Sequence, residues 1–403
     1  PKETSRESVR FQVILDTAYQ KTGKQVVVLI DEYDSPLQHS WKTPEHEGCT
    51  EVYRSVFSVL KLKGNVLRFV FITGITKFTQ ISLFSVLNHL TNISFLPQFA
   101  PLCGITEEEM TVNFAPELEA LADKMECSIE EAHDKLKTYY DGYHFSDENM
   151  TDIYNPFSLL NALSQLRLRN YWISSGATSM LNKFVNNMEL RLHDFEDCYI
   201  DKDTLETSDV IEGGSELFLY QTGYLTIKGF DEDGYSLGFP NEEVRKALYK
   251  AVLPALTQKD ITDIVSIQSR LVHSMNNGNL EEAKQCMKSL ISNVPYSNKK
   301  LVSMDMEERY RLIISTILNA IGCQVEVEHM LSTGRIDIVA STSRFIYVME
   351  LKLANNGGIN AAEKQMIDNG YLKPFLADDR KVIGVAVELD DMGKGLIDWK
   401  EVK

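Results

Sequence analysis

The sequence predicts a mixed α/β protein in three parts: an α/β domain with a parallel sheet over residues 1–104, a mainly helical middle over 105–296, and a C-terminal α/β domain over 297–403. Three patterns carry that expectation. A strand-helix-strand order opens the chain, helical periodicity dominates its centre, and an α-β-β-β-α-β order closes it.

The elements follow in order. SVRFQVILDTAYQKTGK sets Val9, Val13, Ile14 and Ala18 on one helical face and ends at Gly23, which suits a C-cap. QVVVLIDEYDSPL is a continuous apolar run closed by acids and a proline, the pattern of a strand buried on both faces of a parallel sheet. A helix from about Glu51 to Lys63 leads into VLRFVFITGITKF, a second buried strand that ends at a glycine. In the middle, EEEMTVNF, IEEAHDKLKTYYDGYHF and NPFSLLNALSQL read as helical pieces, and 217–241 reads as strands around a turn at Asp233-Gly234. Helical periodicity returns from Asn241 to about Ser292. The polar segment 293–300, with Pro295, then marks a boundary.

Composition removes several classes. With 43% hydrophobic and 25% charged residues over 403 positions, the chain is neither disordered nor collagen-like. Its 58 acidic and 41 basic side chains give a net charge of -17, which repels polyanions at long range and leaves only a local basic groove for nucleic acid. The six cysteines contain no C-x-x-C pair and are read as reduced. The longest apolar runs, such as VVVLI at 26–30, fall far short of the roughly 20 residues that span a bilayer, and no signal peptide opens the chain. No membrane partner is expected, and a cytoplasmic location is. Because the first residue is Pro1, the start reads as a truncation.

The C-terminal part concentrates the chemistry. Residues 305–321 form a helix with Tyr310, Ile313, Ile314, Ile317 and Ile321 at helical spacing and Gly322 as its cap. CQVEVE, GRIDIVA and FIYVMELKL follow as strands, then helix GINAAEKQMIDNGYL and strand KVIGVAVEL. If the hairpin turns about Ser343 and Arg344, residues whose numbers add to 687 face each other, and Asp337 lies opposite Glu350. Their Cβ atoms then stand about 5 Å apart. Lys352, two residues on from Glu350, projects from the same face. Two carboxylates forced together take up a proton or a divalent cation, and hard oxygen donors with room for water suit Mg²⁺. A lysine beside such an ion orients the attacking water in phosphodiester hydrolysis. Most E-x-K triplets on strands are solvated ion pairs. The apolar neighbours in RIDIVA and YVMELKL predict burial here, which demands partners or metal.

With GRIDIV, YVMELK and a following helix bearing Gln365, this region resembles the PD-(D/E)XK nuclease superfamily, in the version found at the C-terminus of bacterial AAA-ATPase-like proteins. The resemblance implies a restriction-endonuclease-like domain. It makes Asp337 and Glu350 metal ligands, Lys352 the catalytic lysine, Glu307, ahead of Glu308, the first-helix acid, and Gln365 the second-helix polar residue. Ile336 stands where the strict motif has proline.

In the N-terminal part, VVVLIDEYD has the form of a Walker B strand, an apolar run before an acid pair. Together with FITGITKF, LCGITEEE, YYDGYHF, YNPFSLLNAL and LYQTGYLTI it resembles the AAA-ATPase-like family over about 20–250. That resemblance implies a truncated P-loop parallel-sheet domain in which Asp31 holds Mg²⁺ through water, Glu32 polarises the attacking water and Thr73 senses the nucleotide. A phosphate-binding G-x-x-x-x-G-K-[ST] segment does not occur in these 403 residues, so ATP with Mg²⁺ is expected only where an upstream segment supplies it. His144 and the other histidines lack metal-ligand spacing and read as satisfied side chains, and YYDGYHF also reads as aromatic packing. The expected activity is a Mg²⁺-dependent nuclease coupled to an incomplete ATPase module, with a non-cleaving, nucleotide-switched regulator as the alternative. DNA or RNA as substrate, and homo-oligomerisation, stay open.

Overall fold

The structure, a computed structural model, describes residues 4–41, 43–75, 89–172, 181, 198–207, 214–257, 259, 261–292 and 305–402. Among these it is a mixed α/β protein of fourteen helices and four sheets. Contacts divide the chain into two compact units, 1–167 with 195–240 and 168–194 with 241–403.

The first unit opens with α1 (Thr4–Thr22), β1 (Val26–Ile30), α2 (Ser35–Ser40), α3 (His46–Leu62) and β2 (Leu67–Ile72). Gly23, at φ +66°, caps α1 by returning its N–H to Tyr19 O at 2.8 Å. β1 and β2 pair in parallel, Val28 with Val70 and Ile30 with Ile72. The expectation of burial on both faces is corrected: Val28 is buried, whereas Val27, Leu29 and Phe69 are 52%, 70% and 54% exposed. Strand alternation sends Val27 and Leu29 to the face opposite Val28, and an unbroken apolar run hides that two-sidedness. The shared face read for α1 is not its buried one. Leu15 is buried, while Val9, Val13 and Ile14 are exposed.

Short helices then dominate: β3 (Ile105–Thr106), α4 (Glu107–Asn113), α5 (Ala115–Met125), α6 (Ile129–Tyr140), β4 (Ile153–Tyr154) and α7 (Pro156–Gln165). Their starts are written in the sequence. Thr106 and Glu109 form a reciprocal capping box, Ser128 caps Glu131, and Asn155 caps Ser158 ahead of Pro156. β5 (Cys198–Asp201), α8 (Lys202–Thr207), α9 (Gly214–Gln221), β6 (Thr226–Phe230) and β7 (Gly234–Gly238) complete the unit. The predicted turn before Gly234 is present, but 217–221 is helix and not strand, since a short apolar run fits either element.

The second unit carries α10 (Glu242–Thr257), α11 (Ile261–Asn276), α12 (Leu280–Ile291), α13 (Met306–Ala320), β8 (Gln324–Leu331), β9 (Gly334–Ser341), β10 (Phe345–Leu353), α14 (Gly358–Asp368), β11 (Lys381–Leu389) and β12 (Leu396–Val402). The five strands form one sheet in the order β12-β11-β10-β9-β8, with β10 and β11 parallel and every other pair antiparallel. The α-β-β-β-α-β order is present, and β12 extends it. One core joins Ile336, Val348 and Ala386 of the sheet to Ala362 and Met366 of α14.

Helices before the sheet belong to the same unit. Arg245 of α10 donates to Asn319 Oδ1 and, at 3.3 Å, to Cys323 O. Tyr347 donates to Met275 O at 2.6 Å, and Trp399 Nε1 donates to Leu280 O at 3.1 Å. The predicted boundary at 293–300 lies outside the described residues. Among the described residues no helix is long and apolar enough to cross a membrane.

Candidate functional site

The β9–β10 hairpin turns on Ser343 and Arg344, with Thr342 N–H bonded to Phe345 O at 2.9 Å. Its pairs, from Ile346 with Ser341 to Met349 with Ile338, hold the register that faces Asp337 toward Glu350. The ladder stops one pair short of those acids. There Asp337 Oδ2 itself accepts the Leu351 N–H at 2.8 Å, so the strands part where the carboxylates begin. On the other side of β9, β8 pairs Val327 with Ile338 and His329 with Ile336, skipping Glu328, whose φ is +57°. Glu328, Asp337 and Glu350 therefore occupy neighbouring positions on three adjacent strands.

Two of these acids are deep. Asp337 is 6% and Glu350 1% exposed. Lys352 Nζ lies 3.0 Å from Glu350 Oε1, 3.1 Å from Leu351 O and 3.7 Å from Glu307 Oε1 on α13. Arg311, one helical turn after Glu307, places Nη1 3.1 Å from Asp337 Oδ1 and Nη2 3.0 Å from Glu328 Oε1. Arg335 Nη1 approaches the same Glu328 oxygen at 3.1 Å. Glu350 Oε2 is buried with no hydrogen-bond partner.

The electrostatics follow from burial. Desolvation, with the nearby Asp337 charge, pushes the Glu350 carboxyl up to about 7, against the pull of Lys352. Burial also raises Glu307. Burial works against the Lys352 ammonium, but Glu350, Asp337 and Glu307 outweigh it and hold its pKa above the usual lysine value. Among the described residues no three His, Cys, Asp or Glu side chains converge to hold a metal. The donors that do meet are a buried carboxylate pair, one of them with a bare oxygen, beside a main-chain carbonyl. Such hard oxygen donors fit Mg²⁺, which keeps several waters of its own.

The structure thus brings Asp337, Glu350, Lys352 and Glu307 together, and Glu307 supplies the contact to Lys352. Gln365 is directed elsewhere. Its Nε2 donates to the Tyr371 hydroxyl at 3.1 Å, and that hydroxyl donates to Arg335 O at 3.0 Å. Arg311 and Glu328 escaped the sequence reading, although the i, i+4 spacing from Glu307 pointed to the first and the strand register to the second.

At the N-terminal acids, the parallel pair sets Thr73 against Asp31: Thr73 N–H bonds Ile30 O at 2.8 Å, and its hydroxyl donates to Asp31 Oδ1. Glu32 is exposed at φ +50°, with its N–H on Asp31 Oδ1 at 3.0 Å. Asp34, 1% exposed and unnoticed in the sequence, accepts the Ile75 N–H at 3.2 Å and Gln38 Nε2. Gly74 is required beside it, since a Cβ there would lie 2.5 Å from Asp34 Oδ1. In the YYDGYHF stretch, His144 is satisfied as the sequence suggests, with Nδ1 2.9 Å from Ile227 O and Nε2 2.8 Å from Asp152 Oδ1. Burial pushes the neighbouring Asp141 up to about 6.

Comparison with known proteins finds two matching regions. Residues 2–84 match the family described as a predicted AAA-ATPase, and residues 305–399 match the PD-(D/E)XK nuclease superfamily. Over 408 aligned residues the chain is 28% identical to an uncharacterized protein in the vnfD 5' region of Azotobacter chroococcum mcd 1, covering 96% of this chain and 76% of that protein. No solved structure matches.

Proposed function

We propose that this chain, with its AAA-ATPase-like N-terminal region and PD-(D/E)XK nuclease superfamily domain, is a Mg²⁺-dependent nuclease that hydrolyses phosphodiester bonds in nucleic acid. The observation that carries the reading is the buried pair Asp337 and Glu350, in which Glu350 keeps an oxygen without a partner and a raised proton affinity. An acid in that condition is completed by a proton or a cation.

In this reading Asp337 and Glu350 hold the ion, with Leu351 O as a further oxygen. Bound there, Mg²⁺ supplies Lewis-acid polarisation and a more acidic water. Lys352 orients the attacking water and faces the charge that develops on the phosphoryl oxygens. Glu307 positions the Lys352 ammonium from the helix side. The N-terminal region is proposed as a nucleotide module in which Asp31 contacts Mg²⁺ through water, Glu32 polarises water and Thr73 senses the nucleotide, once a phosphate-binding segment is supplied.

Calorimetric Mn²⁺ titration of the full chain, run beside cleavage of single- and double-stranded DNA and RNA, tests the reading. Asp337→Ala and Glu350→Ala are expected to lose the ion. Lys352→Ala should keep it and lose cleavage by roughly 10²- to 10⁴-fold. Unchanged metal affinity in both carboxylate variants rejects the site. A non-cleaving regulator is favoured by one observation, the Arg311 guanidinium on Asp337, and metal binding without cleavage of any substrate would select it.

A further inference from the structure

We propose that Arg311 is a resident counter-cation of the metal site: it neutralises Asp337 while no divalent ion is bound and competes with that ion for the carboxylate. This rests on the metal reading of Asp337 and Glu350.

The two acids are closed to different degrees. Both oxygens of Asp337 are committed, Oδ2 to the Leu351 N–H at 2.8 Å and Oδ1 to Arg311 Nη1 at 3.1 Å. Glu350 gives only Oε1 to Lys352 and leaves Oε2 bare. A cation therefore meets an uncommitted oxygen on buried Glu350 and none on Asp337. The Arg311 guanidinium is a planar cation that repels an incoming divalent ion.

Arg311 has somewhere to go. Its Nη2 is already held by Glu328 at 3.0 Å, so the guanidinium can release Asp337 without losing its anchor. Glu328 is 39% exposed at its side chain, and the skipped ladder position turns it toward two arginines at once. It is the carboxylate that receives Arg311 when Asp337 is taken by metal. The arrangement predicts opposite effects from the two partners. Removing the guanidinium frees Asp337 for the ion, whereas removing the Glu328 charge ties Arg311 more firmly to Asp337. A purely structural arginine would instead lower metal affinity when lost, because the site would loosen.

Mn²⁺ calorimetry and thermal melts of the full-length wild type, Arg311→Gln, Arg311→Lys and Glu328→Gln decide the matter. Arg311→Gln should bind Mn²⁺ about five-fold or more tighter than wild type, the lower end of usual coupling between sites. Mn²⁺ should also raise its melting temperature by more than it raises that of wild type. Arg311→Lys, which keeps the charge, should stay near wild type, and Glu328→Gln should bind more weakly. If Arg311→Gln does not fold without metal, rescue of its folding by Mn²⁺ supports the proposal, and a fall in affinity in Glu328→Gln tests it independently. Equal or weaker affinity in folded Arg311→Gln overturns the inference and leaves the metal reading intact. No Mn²⁺ binding in any of the four proteins overturns both.

Discussion

Two apolar strand segments in this chain carry acids, and the structure treats them differently. Asp31 and Glu32 follow the last residue of β1 and are exposed, so water shares in their solvation. Asp337 and Glu350 lie within β9 and β10 and are buried, so the protein must supply the counter-charge through Arg311 and Lys352. An acid one residue beyond a strand is solvated almost without cost. The same acid inside the sheet has to be neutralised, and that requirement is what makes a site.

The comparison breaks most completely if the C-terminal sheet fails to bury its acids. α10, α11 and α12 brace the domain through Arg245 to Asn319, Met275 O to Tyr347 and Leu280 O to Trp399. A fragment spanning 241–403 should melt cooperatively, whereas one spanning 305–403 should lose cooperative folding, having shed several buried hydrogen bonds worth about 1 kcal/mol each besides the apolar packing. Circular dichroism melts of the two fragments check this. A cooperative, soluble 305–403 fragment would mean the sheet buries its acids unaided.

The next effect compares one acid from each region. With Glu350 pushed up to about 7, its ionisation by pH 8 costs the folded state stability relative to the unfolded state in the absence of metal, and Glu350→Gln should raise the melting temperature there while abolishing Mn²⁺ binding. Asp31→Asn, on the exposed side, should change stability by no more than about 0.5 kcal/mol. Equal shifts in the two variants would erase the distinction.

pH sharpens it further. Glu350 has its folded-state pKa raised from 4.5 to about 7, so the stability this group contributes is fully present below pH 4.5 and is lost as pH rises through 7. Mn²⁺ must displace the proton, so its affinity should climb between pH 6 and 8 as the carboxyl ionises, with about one proton released per ion at the acid end. Calorimetry in buffers of different ionisation enthalpy counts that proton. A flat affinity across the interval would remove Glu350 from the ligand set.

The C-terminal site was the more legible region because strand register is arithmetic. Once Ser343 and Arg344 form the turn, Asp337 must face Glu350, and the two-residue period puts Lys352 on the same face as Glu350. The helix α13 was legible from its apolar spacing and from Gly322, which takes φ +92° at its end. What the sequence concealed depends on long-range packing. Spacing places Arg311 one turn after Glu307, but its partner Asp337 is set only when α13 lies against β9, and β12 hides behind alternating charges in LIDWKEV. Val27 and Leu29 look like core in a pentapeptide of VVVLI, yet exposure there depends on what covers the second face of the β1–β2 pair, which no local pattern encodes.

A similarly small effect belongs to Thr73. Its hydroxyl donates to Asp31 Oδ1, an exposed counterpart of the Lys352–Glu350 contact inside the second unit. Thr73→Val keeps the branched shape that suits β-type backbone and removes only that donor. Water can replace the hydroxyl at an exposed carboxylate, so the loss should stay under about 1 kcal/mol in a urea titration with unchanged slope. Lys352→Met removes a donor from a carboxylate that water does not reach, and should cost more than Thr73→Val at pH 8, because Glu350 then either stays ionised without its counter-charge or must take up a proton. A loss at Thr73 as large as that at Lys352 would mean Asp31 also depends on the protein for its counter-partner, and exposure would no longer separate the two acid clusters.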